Sequence, residues 1–219
     1  MRYTLSAAGS AFVMVTAPLA MAQQRSQAAT TSLQPHVSSP TKLSPFMKVY
    51  GATHAPFGFV AMCERLPAEC AASPGTTPER VPLTVERLAQ LDAVNRDVNR
   101  RIKPATDMDL YGVVEHWTLP VDKGDCEDYA LLKRQILISK GWPSSSLLMT
   151  VVRDERGDGH AVLTARTKGG DYILDNTVND LRIWHATPYK FVMRQSFVDP
   201  RMWMSLAKES ATPQSLTGQ

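Results

Sequence analysis

The chain has 219 residues, with 24 Lys and Arg against 21 Asp and Glu, and a formal net charge of +3. That charge is too small and too scattered for a nucleic-acid footprint, and no run of about 18 apolar residues is present to span a bilayer. Hydrophobic content of 43% is ordinary for a domain that buries its own core, so the odd count of 3 cysteines is the feature that asks for an explanation.

Residues 1–22, MRYTLSAAGSAFVMVTAPLAMA, place Arg2 before a short apolar stretch from Ala11 to Val15, then Pro18 and Ala20-Met21-Ala22. A charged start, a short apolar middle and small residues two apart predict a secretory signal peptide cleaved after Ala22. The destination implied is periplasmic, where disulfides are permitted. Residues 23–45 are rich in Ser, Thr, Gln and Pro and predict a flexible leader, and residues 207–219 read as a similar tail. What remains, 46–206, is one predicted domain without a transmembrane segment.

Residues 46–59 show little periodicity. Thr84 then opens a helical pattern in which Leu88, Leu91, Val94, Val98 and Ile102 recur at three- and four-residue steps as far as Pro104. A second helix starts at Asp125, buries a stripe of Ala130, Leu131, Ile136 and Leu137, and stops at Gly141 and Pro143. Asp125 is its expected N-cap, with Asp128 where a capping box places its acid. Beyond Pro143 the period becomes two. Strands are expected over 147–153, 160–166 and 172–174, separated by turns at 154–159 and 168–170, with further β-rich segments at 182–184 and 189–197. Helices followed by hairpin-linked strands make the fold α+β, with helices packed on an antiparallel sheet.

A cysteine nucleophile needs a thiolate, a base within reach and a group that orients the base. Cys126 sits in the first turn of the second helix, where partial positive charge lowers a thiol's pKa and backbone N–H groups can hold an oxyanion. His160 opens a strand and Asp175 ends the next one, so a short hairpin brings them side by side. His160 is thus the candidate base for Cys126, and Asp175 the group that fixes its tautomer. His185, His116, His36 and His54 have no comparable partner pattern.

The segments Gly124-Asp125-Cys126-Glu127-Asp128-Tyr129-Ala130, Gly159-His160-Ala161-Val162-Leu163 and Leu174-Asp175-Asn176 resemble the bacterial transglutaminase-like cysteine peptidases. Val94-Asn95, Val98-Asn99, Tyr111-Gly112, Trp117 with Pro120, and Trp184 extend the resemblance over most of the domain. Glu115 stands two residues before Trp117, where the family pattern has an Asp. The resemblance implies a papain-like transglutaminase core and a Cys126–His160–Asp175 triad. It implies a periplasmic protease of the LapG type, which cuts a surface adhesin and is held by an inner-membrane cyclic di-GMP receptor. It also implies calcium on the acids flanking the nucleophile, Asp125 and Glu127, although a helix cap and a favourable helix-end charge account for the same two residues. No cofactor is needed for the chemistry. The alternatives are a transglutaminase, in which an amine replaces water, and a non-catalytic binding module of the same fold. The turn at 154–159 is not an EF-hand, since Arg156 and Ala165 occupy ligand positions.

Cys63 and Cys70 would lie about 10.5 Å apart along one continuous helix, beyond disulfide reach. Pro67 argues against that continuity, so a Cys63–Cys70 disulfide is expected, with two packed thiols as the alternative.

Overall fold

The computed structural model describes residues 43–71 and 80–208. The expected signal peptide, nearly all of the leader and most of the tail lie outside the described residues. In chain order the elements are β1 (Gly51–Thr53), α1 (Phe57–Arg65), a 3-10 turn (Pro67–Cys70), α2 (Val85–Arg101), β2 (Lys103–Pro104), α3 (Asp107–Tyr111) and β3 (Lys123–Gly124). There follow α4 (Cys126–Ser139), β4 (Leu147–Arg153), β5 (Gly159–Thr167), β6 (Gly170–Leu174), β7 (Arg182–Ile183), β8 (Lys190–Gln195) and β9 (Trp203–Ser205). Seven strands form one antiparallel sheet in the order β1-β9-β8-β4-β5-β6-β7, and β2 and β3 make a separate two-residue parallel ladder. The fold is α+β, as the change of period predicts. No helix among the described residues is long and apolar enough to cross a membrane.

Helix α2 begins where expected, with the Thr84 hydroxyl accepting the Arg87 N–H at 3.2 Å. Its buried stripe runs through Leu91, Val94 and Val98 to Ile102, but Leu88 remains 37% exposed, so the stripe starts one step later than the periodicity suggests. Helix α4 is far more enclosed than an amphipathic pattern implies. Besides Tyr129, Ala130, Leu131 and Leu137 it buries four polar residues, Glu127, Asp128, Lys133 and Arg134, while Ile136 is only partly covered.

Alternation along the central strands divides the sheet into two faces. Leu147, Met149, Leu163, Ala165 and Leu174 join the helices in the main core, whereas Val152, Val162 and Ile173 join Met47 in a smaller cluster on the opposite face. Removing each fully buried leucine from water contributes about 2 kcal/mol. Ser44 and Pro45, assigned to the leader on composition, are tied to this second face. The Ser44 carbonyl accepts the Trp184 indole N–H at 3.0 Å, and the Pro45 carbonyl accepts the Asp171 N–H at 2.9 Å.

The elements β1, α1 and β9 are among those that escape the periodicity, because β1 and β9 are three residues long and α1 exposes Phe57 and Val60. They are held by long-range contacts. β1 pairs with β9, and Phe59 stands edge-on to Trp203 and Trp117, with ring centroids 5.2 and 5.9 Å away.

Helix α1 ends at Arg65, and the 3-10 turn that follows Leu66 carries the chain back so that Cys63 and Cys70 are disulfide-bonded, with Cα atoms 5.6 Å apart. Closing a loop of this length contributes about 2–3 kcal/mol. The double variant Cys63→Ser/Cys70→Ser should therefore lose that stability, seen as a lower midpoint in urea denaturation. A midpoint equal to wild type would show that the link restrains nothing.

Candidate active site

Cys126 is the first residue of α4 and lies against the start of β5. The Ala161 N–H points at its Sγ from 3.4 Å, and the thiol donates to Glu127 Oε2 at 3.1 Å. It is the one free cysteine of the chain. Cys126 and His160 line the same cleft of about 550 Å³, together with His54, Phe57, Glu115, Trp117, Val151 and Met193. A second cleft of about 580 Å³ shares His160 and is lined by Asp175, Tyr189 and the turn residues Asp154, Glu155, Arg156 and Asp158.

The pairing of β5 with β6 sets Leu163 opposite Leu174, so Asp175 leaves the sheet beside the first residues of β5. His160 Nε2 lies 3.0 Å from Asp175 Oδ1. Burial pushes the Asp175 carboxyl up, but the bonds from His160, Tyr189 and Thr177 outweigh it and hold the group at about 2. An ionised carboxylate can only accept, so Nε2 carries the hydrogen, which in the neutral imidazole leaves the lone pair on Nδ1. Asp175 Oδ1 also accepts the Thr177 N–H at 2.9 Å and hydroxyl at 3.0 Å, and Oδ2 accepts the Tyr189 hydroxyl. The Asn99 amide donates to the Asp175 carbonyl at 2.9 Å, and the Asn95 amide to the carbonyls of Val178 and Asn179 at 3.0 and 2.9 Å. The Val-Asn pairs of α2 thus divide their work. Val94 and Val98 enter the core, while the next residues hold the loop that carries Asp175.

Asp125 occupies the N-cap position of α4, but its side chain makes no capping bond. Its Oδ1 is buried without a partner, as is Oδ1 of Asp107. Carboxylate oxygens of Asp107, Asp125 and Glu127 lie within 4.8 Å of one another. Burial raises Asp125, while burial and the neighbouring Asp125 charge raise Glu127 to about 9. Asp128 accepts the Thr118 N–H at 2.9 Å, and burial raises it to about 7. Close carboxylates with unpartnered oxygens fit a hard, oxygen-seeking cation such as calcium. Asp107 opens a five-residue helix, and nothing in its local sequence pattern distinguishes it from an ordinary helix-end acid.

The thiol environment departs from expectation. Burial, followed by the Glu127 charge, pushes Cys126 up, opposing the lowering expected at a helix N-terminus. Of the other histidines, His116 stacks on Tyr111 and His185 stands edge-on to Trp184. His54 lines the cleft, and His36 lies outside the described residues.

Lys133 is fully buried on α4 and its ammonium has no hydrogen-bond partner. Burial lowers it to about 7, with Asp175 opposing the shift. A base held below its ordinary value costs stability below about pH 7, and the cost fades as pH rises towards 10.5. Lys133→Met should therefore stabilise the protein by about 2–4 kcal/mol at pH 6 and abolish the rise in stability between pH 7 and 10.5. Urea melts across that range check it, and a wild type with flat stability would contradict it.

A cysteine opening a buried helix, packed on an antiparallel sheet whose adjacent strands supply a His–Asp pair, defines the transglutaminase-like class of cysteine enzymes. Residues 49–211 match the model of the bacterial transglutaminase-like cysteine proteinases, and the chain belongs to that family. Among curated proteins it is similar to the UPF0252 protein PH1321 of Pyrococcus horikoshii, 35% identical over 86 residues, covering 39% of this chain and 23% of that one. Among solved structures it is similar to calcium-bound LapG of Legionella pneumophila, at 25% identity and a TM-score of 0.46, covering 59% of this chain and 74% of that one. EGTA-treated LapG of the same organism gives 28% identity and a TM-score of 0.45, with 59% and 73% covered. A further LapG structure gives 28% identity and a TM-score of 0.42, covering 48% of this chain and 62% of that one. The chain thus spans less than a quarter of the Pyrococcus protein and under two thirds of that last LapG chain.

Proposed function

We propose that this protein is an exported cysteine peptidase that cleaves a protein substrate through Cys126, His160 and Asp175. The observation that carries the reading is the 3.0 Å contact of His160 Nε2 with an ionised Asp175, beside a cleft that His160 shares with the single free cysteine. Two clefts that share His160 suit an extended polypeptide running past the nucleophile.

In this reading His160 Nδ1 takes the thiol proton as Cys126 Sγ attacks the scissile carbonyl. The developing oxyanion faces the backbone N–H groups at the start of α4. His160 then passes its proton to the leaving amine, and water, deprotonated by the same nitrogen, resolves the acyl-enzyme. Asp175 holds the imidazole in the required tautomer and steadies its charged form. Asp107, Asp125 and Glu127 would hold calcium, whose charge would offset the crowded carboxylates beside the nucleophile. The pattern of residues 1–22 supports the periplasm as the site of action. The family resemblance supports a surface adhesin as substrate and an inner-membrane cyclic di-GMP receptor as regulator.

The substrate test compares proteins shed into the medium by cells carrying the wild type or Cys126→Ala. A surface protein released only by the wild type supports the proposal, and identical released proteins contradict it. The calcium test is thermal. Calcium at about 100 times its dissociation constant stabilises by about 2.7 kcal/mol, raising the melting temperature by a few degrees, and Glu127→Gln or Asp107→Asn should remove the rise. Equal shifts in the wild type and both variants would sink this assignment.

A further inference from the structure

The face of the sheet away from α4 carries a cluster of charged residues that the chemistry above does not use. Arg166 on β5 is 5% exposed, Arg194 on β8 is 3% exposed, and Asp171 on β6 is fully buried. Asp171 is opposite Arg166 in the strand pairing. Its charge is already engaged. Arg80 Nη1 donates to Oδ1 at 2.6 Å, Arg80 Nη2 lies 3.4 Å from Oδ2, and the Met47 N–H donates to Oδ2 at 2.8 Å.

The two buried guanidiniums are left with too few acceptors. Arg166 gives one N–H to the Ser145 carbonyl at 3.2 Å, and its Cζ lies 3.9 Å from the centroid of the Phe197 ring. Its Nε has no partner, and neither does Nε or Nη1 of Arg194. Three buried guanidinium donors are therefore unmet, and each unmet charged donor costs more than a neutral one. The charges do not balance either. Besides burial, Arg166 feels repulsion from Arg194 and Arg80, with Asp171 alone opposing. Water could satisfy donors but not offset the surplus positive charge, whereas an anion does both through charge-assisted bonds.

We propose that Arg166 and Arg194, backed by Arg80, form a binding site for one small oxyanion on the outer face of the sheet. The unmet donors come from two guanidiniums, so the ligand carries at least two acceptor oxygens, as sulfate, phosphate and carboxylates do and chloride does not. The site is independent of the triad and of the calcium assignment.

The test uses the full purified chain. Protein exchanged into chloride buffer is denatured and its anions measured by ion chromatography. It is also melted during titrations with sulfate, phosphate or acetate at constant ionic strength. The wild type should either retain one oxyanion per chain or show a saturable rise of several degrees at millimolar anion. Arg194→Gln should lose both, keeping only the small linear effect that excluded salts produce. A response to sulfate and phosphate alone assigns a tetrahedral inorganic ion, and one to acetate assigns a carboxylate ligand. Should Arg194→Gln fail to fold, Arg166→Gln serves in its place, and the measurement of retained anion on the wild type stands without either variant. A wild type that carries no oxyanion and shows no saturable rise overturns the proposal, as does a rise of equal size in the wild type and a folded variant.

Discussion

Cys126→Ala should abolish cleavage while leaving the fold intact. The side chain removed is partly covered, and its two contacts, to Ala161 N–H and Glu127, are a weak sulfur acceptor and a weak sulfur donor. Stability should change by no more than about 1 kcal/mol. Activity should fall by at least three orders of magnitude, because the nucleophile and its base act as one unit and losing either removes the covalent route. The check is cleavage of the shed protein identified in cells, assayed with the purified variant, alongside a urea melt. A variant that stays active while folded would exclude Cys126 as nucleophile.

The second large effect is expected at Asp175. Asp175→Asn keeps the shape but offers His160 Nε2 a group that can donate, so the imidazole can settle in the tautomer that leaves no lone pair for the thiol. Disturbing a triad in this way costs about 10⁴ in kcat. Tyr189→Phe removes one donor from the same carboxylate and should cost roughly tenfold. It also supplies a signature that a packing defect would not. With the Tyr189 bond gone, Asp175 rises from about 2 towards its ordinary value, so the variant should lose less stability than the wild type as pH falls from about 4 to 2. The sign for stability follows from the same depression. An acid whose folded value lies below its unfolded one stabilises the native state above the unfolded value, and that contribution fades as pH falls from about 4 to 2. Asp175→Asn should flatten this part of the wild-type stability profile.

How much of this was legible follows from how local each signal is. Helices α2 and α4 and the strands β4, β5 and β6 announce themselves by period, cap and turn. The hairpin logic that brings His160 to Asp175 needs only neighbouring strands. Tyr189 reaches Asp175 only after the chain has turned through β7 and the following 3-10 segment, a closure that no periodicity encodes. Asp107 joins Asp125 and Glu127 because the β2–β3 ladder draws α3 towards the start of α4, which again is tertiary. Lys133 lies outside the expected stripe of Ala130, Leu131, Ile136 and Leu137, yet it is completely buried on a helix that packs against α2 and β5. The helix N-terminus at Cys126 is visible in the sequence, but the burial and the Glu127 charge that oppose it are properties of the assembled site.

Activation of Cys126 by His160 is tested by the rate at which Cys126 is alkylated. Because Cys63 and Cys70 are paired, iodoacetamide has one free thiol to modify, and intact-mass measurement counts a single adduct. Wild-type Cys126 should be labelled at neutral pH at least tenfold faster than Cys126 in His160→Ala, since a base within reach raises the thiolate fraction. Equal rates in the two proteins, or a wild-type thiol that takes up no label, would contradict it.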